Sequence, residues 1–144
     1  GAVNSTEYEQ AIFPHMKRII STVKSRFPNL PLAMNGVGTD HLVSTWAKLP
    51  LDVIALDWRS SLGSAKDRGV TQTVQGNLDP AYLYGDTKII AKVVDEILTD
   101  GVRHGKHVFN LGHGVFPEAD PAKLHWLTDY VHEKSRELWA RESR

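Results

Sequence analysis

Cysteine is missing from the 144-residue chain, which excludes disulfides, thiolate nucleophiles and cysteine-ligated zinc from it. Net charge is missing as well, since 17 lysines and arginines balance 17 aspartates and glutamates. Nucleic-acid grooves and polybasic membrane surfaces need clustered positive charge, so neither partner is expected. A single anion pocket stays compatible with that balance. No apolar run approaches the ~20 residues that cross a bilayer, and the opening lacks a basic-then-apolar signal pattern. The expected compartment is the cytoplasm, or a plastid if the source is photosynthetic. What the chain does have is 41% hydrophobic residues over a length that suits one core.

Helix and strand signals alternate without a low-complexity linker. Asn4 or Ser5 can cap a first helix, with Glu7 in the opening turn where a carboxylate is favoured. Tyr8, Ile12, Ile19, Ile20, Val23 and Phe27 keep helical spacing, interrupted at Pro14, so a short helix and then a longer one are expected. Leu32-Ala33-Met34 reads as a strand ending at Asn35-Gly36-Val37-Gly38, and Thr39 can cap a helix carrying Leu42, Val43 and Trp46. Val53 to Leu56 is a second strand, followed by Asp57-Trp58 and a weak helix from Ser61 to Arg68. Thr71 to Gln75 is the third strand. Beyond Gly85, the residues Ile89, Ile90, Val93, Val94, Ile97 and Leu98 form the clearest amphipathic helix, stopped by Gly101. His107 to Leu111 is the fourth strand, and a last helix opens at Asp120-Pro121 with Leu124, Leu127, Val131 and Leu138 on one face.

The strands lack clean polar alternation, as expected of a sheet covered on both faces. Strands each followed by a helix imply parallel βα units. One solution is a Rossmann-type sheet, but its Gly-x-Gly-x-x-Gly phosphate turn is missing and Asn35-Gly36-Val37-Gly38 is a weak substitute. The other is part of a (β/α)8 barrel, which takes about 250 residues and would be supplied a little over half by this chain.

In either fold, chemistry gathers at the carboxyl ends of strands. His113, between Gly112 and Gly114 after the fourth strand, is the leading candidate. Its alternative role is a hydrogen bond to a neighbouring loop. Gln75 and Asn77, in Val74-Gln75-Gly76-Asn77-Leu78-Asp79-Pro80, could bond a ligand or satisfy loop backbone. Asp79 before Pro80 and Asp120 before Pro121 are most simply helix caps, and Asp57 is ambiguous. His104 and His107 flank a turn, while His125 and His132 are too far apart on one helix to share an ion. No His-Glu-x-x-His spacing occurs, so no metal site is expected. Trp46, Trp126 and Trp139 fall on helix patterns and read as packing.

Leu56-Asp57-Trp58, Gln75-Gly76-Asn77-Leu78-Asp79-Pro80 and Asn110-Leu111-Gly112-His113-Gly114, with Pro117 shortly after, resemble the C-terminal half of the uroporphyrinogen decarboxylase family. Their order and separation agree over essentially the whole chain, and the opening from Gly1 through Tyr8 to Pro14 resembles the helix after that family's fourth barrel strand. The resemblance implies the second half of a (β/α)8 TIM barrel over residues 1–144: four parallel strands with crossover helices, the N-terminal half lying outside this sequence. It also implies a homodimer and a cofactor-free decarboxylation. The four acetate side chains of uroporphyrinogen III become methyls, giving coproporphyrinogen III for haem and related tetrapyrroles.

Of the family's substrate-contacting residues, the resemblance carries only the histidine onto this sequence, at His113, in a cationic or donor role beside substrate carboxylates. The family's pyrrole-binding aspartate, paired arginines and tyrosine belong to segments absent here, and its serine falls just before Gly1. No catalytic residue is therefore assigned within this chain. A half-barrel exposes two strand edges and an uncovered inner face, so self-association or pairing with an N-terminal half is expected. The competing expectations are a non-catalytic, barrel-derived binding or assembly module and a cobalamin-linked methyltransferase relative. The latter is disfavoured because its zinc site uses cysteine.

Overall fold

A computed structural model describes residues 3–142. The resemblance noted at Gly1 falls partly outside the described residues. Asn4 caps the first helix through its side-chain oxygen, which accepts from the Glu7 amide at 2.9 Å. That helix, α1 (Ser5–Glu7), runs on through a π-helical stretch, Tyr8–Ile12, into α2 (Phe13–Arg26). Pro14 does not break the run. It sits in the first turn of α2, where a missing N–H costs nothing.

The strands are β1 (Ala33–Asn35), β2 (Val53–Ala55), β3 (Thr73–Leu78) and β4 (His107–Leu111), and they form one sheet in the order β1-β2-β3-β4 with every pairing parallel. Between β1 and β2 a 3-10 turn, Asp40–Leu42, leads into α3 (Val43–Trp46). Thr39 does not cap it; the hydroxyl donates back to the Gly36 carbonyl at 3.0 Å. No helix forms between Ser61 and Arg68: that segment is a series of turns, with Gly63 pressed against the Asp100 carboxylate. After β3, Asp79 caps a 3-10 turn, Pro80–Tyr84, and Asp86 caps α4 (Thr87–His104). The expected stop at Gly101 is wrong by a turn. The helix continues to His104 and ends on Gly105 in the left-handed conformation. Gly101 is needed for another reason, because a Cβ there would run into the His107 ring. The last helix, α5 (Pro121–Glu142), starts where Asp120-Pro121 predicts, with Asp120 accepting from the Ala122 amide.

The third strand is longer than its sequence suggests, and the Gln75-Gly76-Asn77-Leu78 segment lies inside it, not in a loop. Pairing with β4 explains this, since Gly76, Asn77 and Leu78 stand opposite Phe109, Asn110 and Leu111. Gly76 has φ +136°, and a Cβ at that position would stand 2.6 Å from the Leu56 carbonyl oxygen. Only glycine lets β3 approach β2 this closely.

Helices cover one face of the sheet. Ile54, Val74 and Leu78 are fully enclosed there, with Ile90 and Val94 of α4 and Leu127 and Val131 of α5 closing the C-terminal side. Each such side chain contributes about 1.5–3 kcal/mol by leaving water. Trp46 packs in this core as expected and donates its indole N–H to the Tyr8 hydroxyl at 3.0 Å, whereas Trp139 is half exposed. The opposite face contradicts the expectation of two covered faces: Ala33, Asn35, Val108 and Asn110 are exposed along it. The chain thus folds as an α/β half-barrel whose inner side is open.

Candidate active site

A recess of about 510 Å³ opens at the carboxyl ends of the strands, lined among others by Asn35, Ala55, Gln75, Asn110 and His113. Each strand contributes one of its inner-face residues, and the register puts Asn35, Ala55 and Gln75 side by side across β1, β2 and β3. Gln75 is half-buried and makes no side-chain hydrogen bond among the described residues, so its amide is available to a ligand. Asn35 and Asn110 are exposed and likewise make no side-chain hydrogen bond among the described residues. Amide groups with open donors and acceptors on a concave wall suit a polar guest.

His113 stands on the rim. Its ring is exposed, meets Trp58 edge-on with centroids 5.6 Å apart, and lies nearly parallel to Phe116 at 6.4 Å. Its Nδ1 is 3.2 Å from the Gly114 carbonyl, which orients the ring and leaves Nε2 toward solvent or a ligand. The turn beneath it depends on Gly112, where a Cβ would overlap the Trp58 backbone, and on the Gly112 amide donating to the Leu78 carbonyl at 2.7 Å. So the aromatic pair is set by backbone contact between two strand ends.

Asn77 takes a different place from Gln75. Its side-chain nitrogen donates to the carbonyls of Asp57 at 2.8 Å and Ser60 at 2.6 Å, and the residue is buried. It fastens the loop after β2 to β3, and both amide hydrogens serve backbone. Asp57 completes that fastening: its fully buried carboxylate accepts from the amides of Gly38 at 2.5 Å and Arg59 at 3.0 Å and from the Ser60 hydroxyl at 3.3 Å. A carboxylate gathering donors from two loops is a positioning device, well suited to hold Trp58 under His113.

His104 and His107 do not line the recess. They sit beside the β3 backbone, with Nε2 atoms 2.8 Å from the Gln72 carbonyl and 2.7 Å from the Gly76 carbonyl. Burial pushes the His107 pKa below its ordinary 6.5. Among the described residues no group of three or more histidines, aspartates or glutamates is placed to hold a metal ion, and no helix is long and apolar enough to cross a membrane. Sequence reasoning missed the ring neighbours of His113, Trp58 and Phe116. The signal for Trp58 was its position directly after a strand end, and for Phe116 its spacing from His113.

The model of the uroporphyrinogen decarboxylase family matches residues 1–134. The chain belongs to that family. Proteins described as uroporphyrinogen decarboxylase from Staphylococcus aureus strains JH9 and Newman are each 47% identical to it over 132 residues, which is 92% of this chain and 38% of theirs. The chain therefore spans well under half the length of the curated relatives it matches. A solved structure of a methyltransferase from Methanosarcina mazei superposes with a TM-score of 0.71 at 15% identity, covering 91% of this chain and 38% of that one. At that identity the likeness speaks for the barrel fold alone, and it gives the half-barrel its parent architecture.

Proposed function

We propose that these residues form the C-terminal wall of a uroporphyrinogen decarboxylase, acting on uroporphyrinogen III only when joined by an N-terminal half-barrel. What carries the reading is one coincidence: family membership over residues 1–134, and an open recess at the strand ends whose rim bears His113. The reaction removes the carboxyl groups of four acetate side chains as carbon dioxide, leaving methyls and giving coproporphyrinogen III. Each loss develops carbanion character next to a pyrrole. Protonating that pyrrole turns it into an electron sink, so placed proton donors and charge stabilisation lower the barrier. This wall supplies part of that environment. The open amide of Gln75 offers hydrogen bonds inside the recess, and the His113 imidazole offers a donor or cation to a carboxylate at its mouth. The pyrrole-facing acid belongs to the complementary half. A homodimer in the cytoplasm completes the reading.

The test is an assay for coproporphyrinogen with the chain alone and with a complementary N-terminal segment co-expressed. Turnover is expected from the pair only. Turnover by the isolated chain would contradict the claim that essential donors lie outside it, and an inactive but assembled pair would favour a non-catalytic module. In the active pair, His113→Asn is expected to slow decarboxylation about tenfold or more and enrich partly decarboxylated products. Unchanged kinetics and product mix would reduce His113 to loop support.

A further inference from the structure

We propose that Arg59 is a second anion-binding residue of the rim, holding a carboxylate of a polyanionic ligand together with His113. The substrate class rests on the reading above, but the residue is chosen on geometry. Arg59 follows Asp57-Trp58 directly after β2, so its position is fixed by the same loop that supports His113. Its guanidinium carbon lies 3.9 Å from the centroid of the Trp58 ring, and its Nη1 is 3.7 Å from the Asp57 carboxylate. The side chain is nevertheless 55% exposed, while that of Asp57 is fully enclosed. The head group is thus anchored on one face and one corner and open on its outer edge.

A guanidinium stacked on an aromatic face keeps its in-plane N–H groups free, unlike one bound edge-on to a carboxylate. Among the described residues the Arg59 side chain donates no hydrogen bond, so apart from the Nη1 corner beside Asp57 its donors remain available. Asp57 does not need it: three shorter donors, from Gly38, Arg59's own amide and Ser60, already satisfy that carboxylate. The cost of ordering a long side chain has been met in advance by the stack, which is what preorganises a binding group. His113 shares this support. Its ring meets the same Trp58 indole edge-on at 5.6 Å, so one tryptophan carries both candidate partners. Two donors sharing one rigid support can converge on an anion with many carboxylates. A plain surface arginine has neither the support nor the neighbour.

The experiment measures equilibrium binding of uroporphyrin, the stable oxidised octacarboxylate, to the chain assembled with its N-terminal complement. Arg59→Gln is expected to weaken binding about tenfold, Arg59→Lys to recover part of it, and added salt to narrow the gap. Equal affinity of wild type and Arg59→Gln, or no binding by wild type, overturns the proposal. Should Arg59→Gln fail to fold, Arg59→Lys decides alone: weaker binding supports the planar fork and full affinity contradicts it. Turnover of uroporphyrinogen is followed in the same samples. Turnover with unaltered Arg59→Gln affinity removes Arg59 and leaves the decarboxylase reading standing; lost affinity without wild-type turnover does the reverse.

Discussion

The two faces of the sheet differ in what covers them among the described residues. On the helix side, Met34, Ile54 and Val74 stand in register across β1, β2 and β3, and Phe109 and Leu111 of β4 pack on α4 and α5. On the inner side, Ala33, Asn35, Val108 and Asn110 are exposed. The same strands therefore carry a packed core on one side and an open, more polar wall on the other. The contrast teaches that stability and function are separated by the pleat: odd and even residues of one strand answer to different demands.

Core and wall should respond unequally to truncation. Ile54→Ala, at a site with no exposure, is expected to cost about 2–5 kcal/mol in urea unfolding, while Val108→Ala is expected to stay within about 0.5 kcal/mol. Comparable losses at both would mean that the inner face is already packed. Asn77→Ala comes next. It strands the Asp57 and Ser60 carbonyls, and a loss of about 1–3 kcal/mol is expected from the same measurement. A neutral result would break the claim that Asn77 is the fastening between β2 and β3.

A smaller effect distinguishes the faces by pH. His107 is held on the helix side, where burial lowers its pKa and the neighbouring His104 adds to the shift. In the unfolded chain it would take up a proton more readily, so the unfolded state binds more protons below about 6.5. Stability from this residue is full above that value and falls as the pH drops. The midpoint of thermal unfolding is expected to decline between pH 7 and 5.5 more steeply in wild type than in His107→Gln, which keeps a donor for the Gly76 carbonyl. Equal slopes would show that His107 is not the titrating group.

Much of the helix side was legible in the sequence because periodicity and caps are local signals. The amphipathic run in α4 and the Asp79 and Asp120 caps needed no partner to be recognised, whereas the Asp86 cap was overlooked. What failed depended on distant residues. Gly101 looked like a helix stop because its true constraint, the His107 ring, comes from the next strand. Gly76 and Asn77 looked like a turn because only the β4 ladder makes them a strand. His113 was nominated from its glycine-flanked setting, and the structure places it on the rim of the recess. Its neighbour Trp58 was not, since a ring contact between two loops leaves no periodic trace.

The central claim is that the inner face is a wall awaiting its other half, and the absence of native cysteine makes it directly testable. A single Val108→Cys supplies a unique thiol in the middle of that face. The predicted result is rapid labelling by a maleimide in the chain alone and strong protection once the N-terminal complement is bound. Equal labelling in both states, or protection in an isolated monomer, would contradict the account.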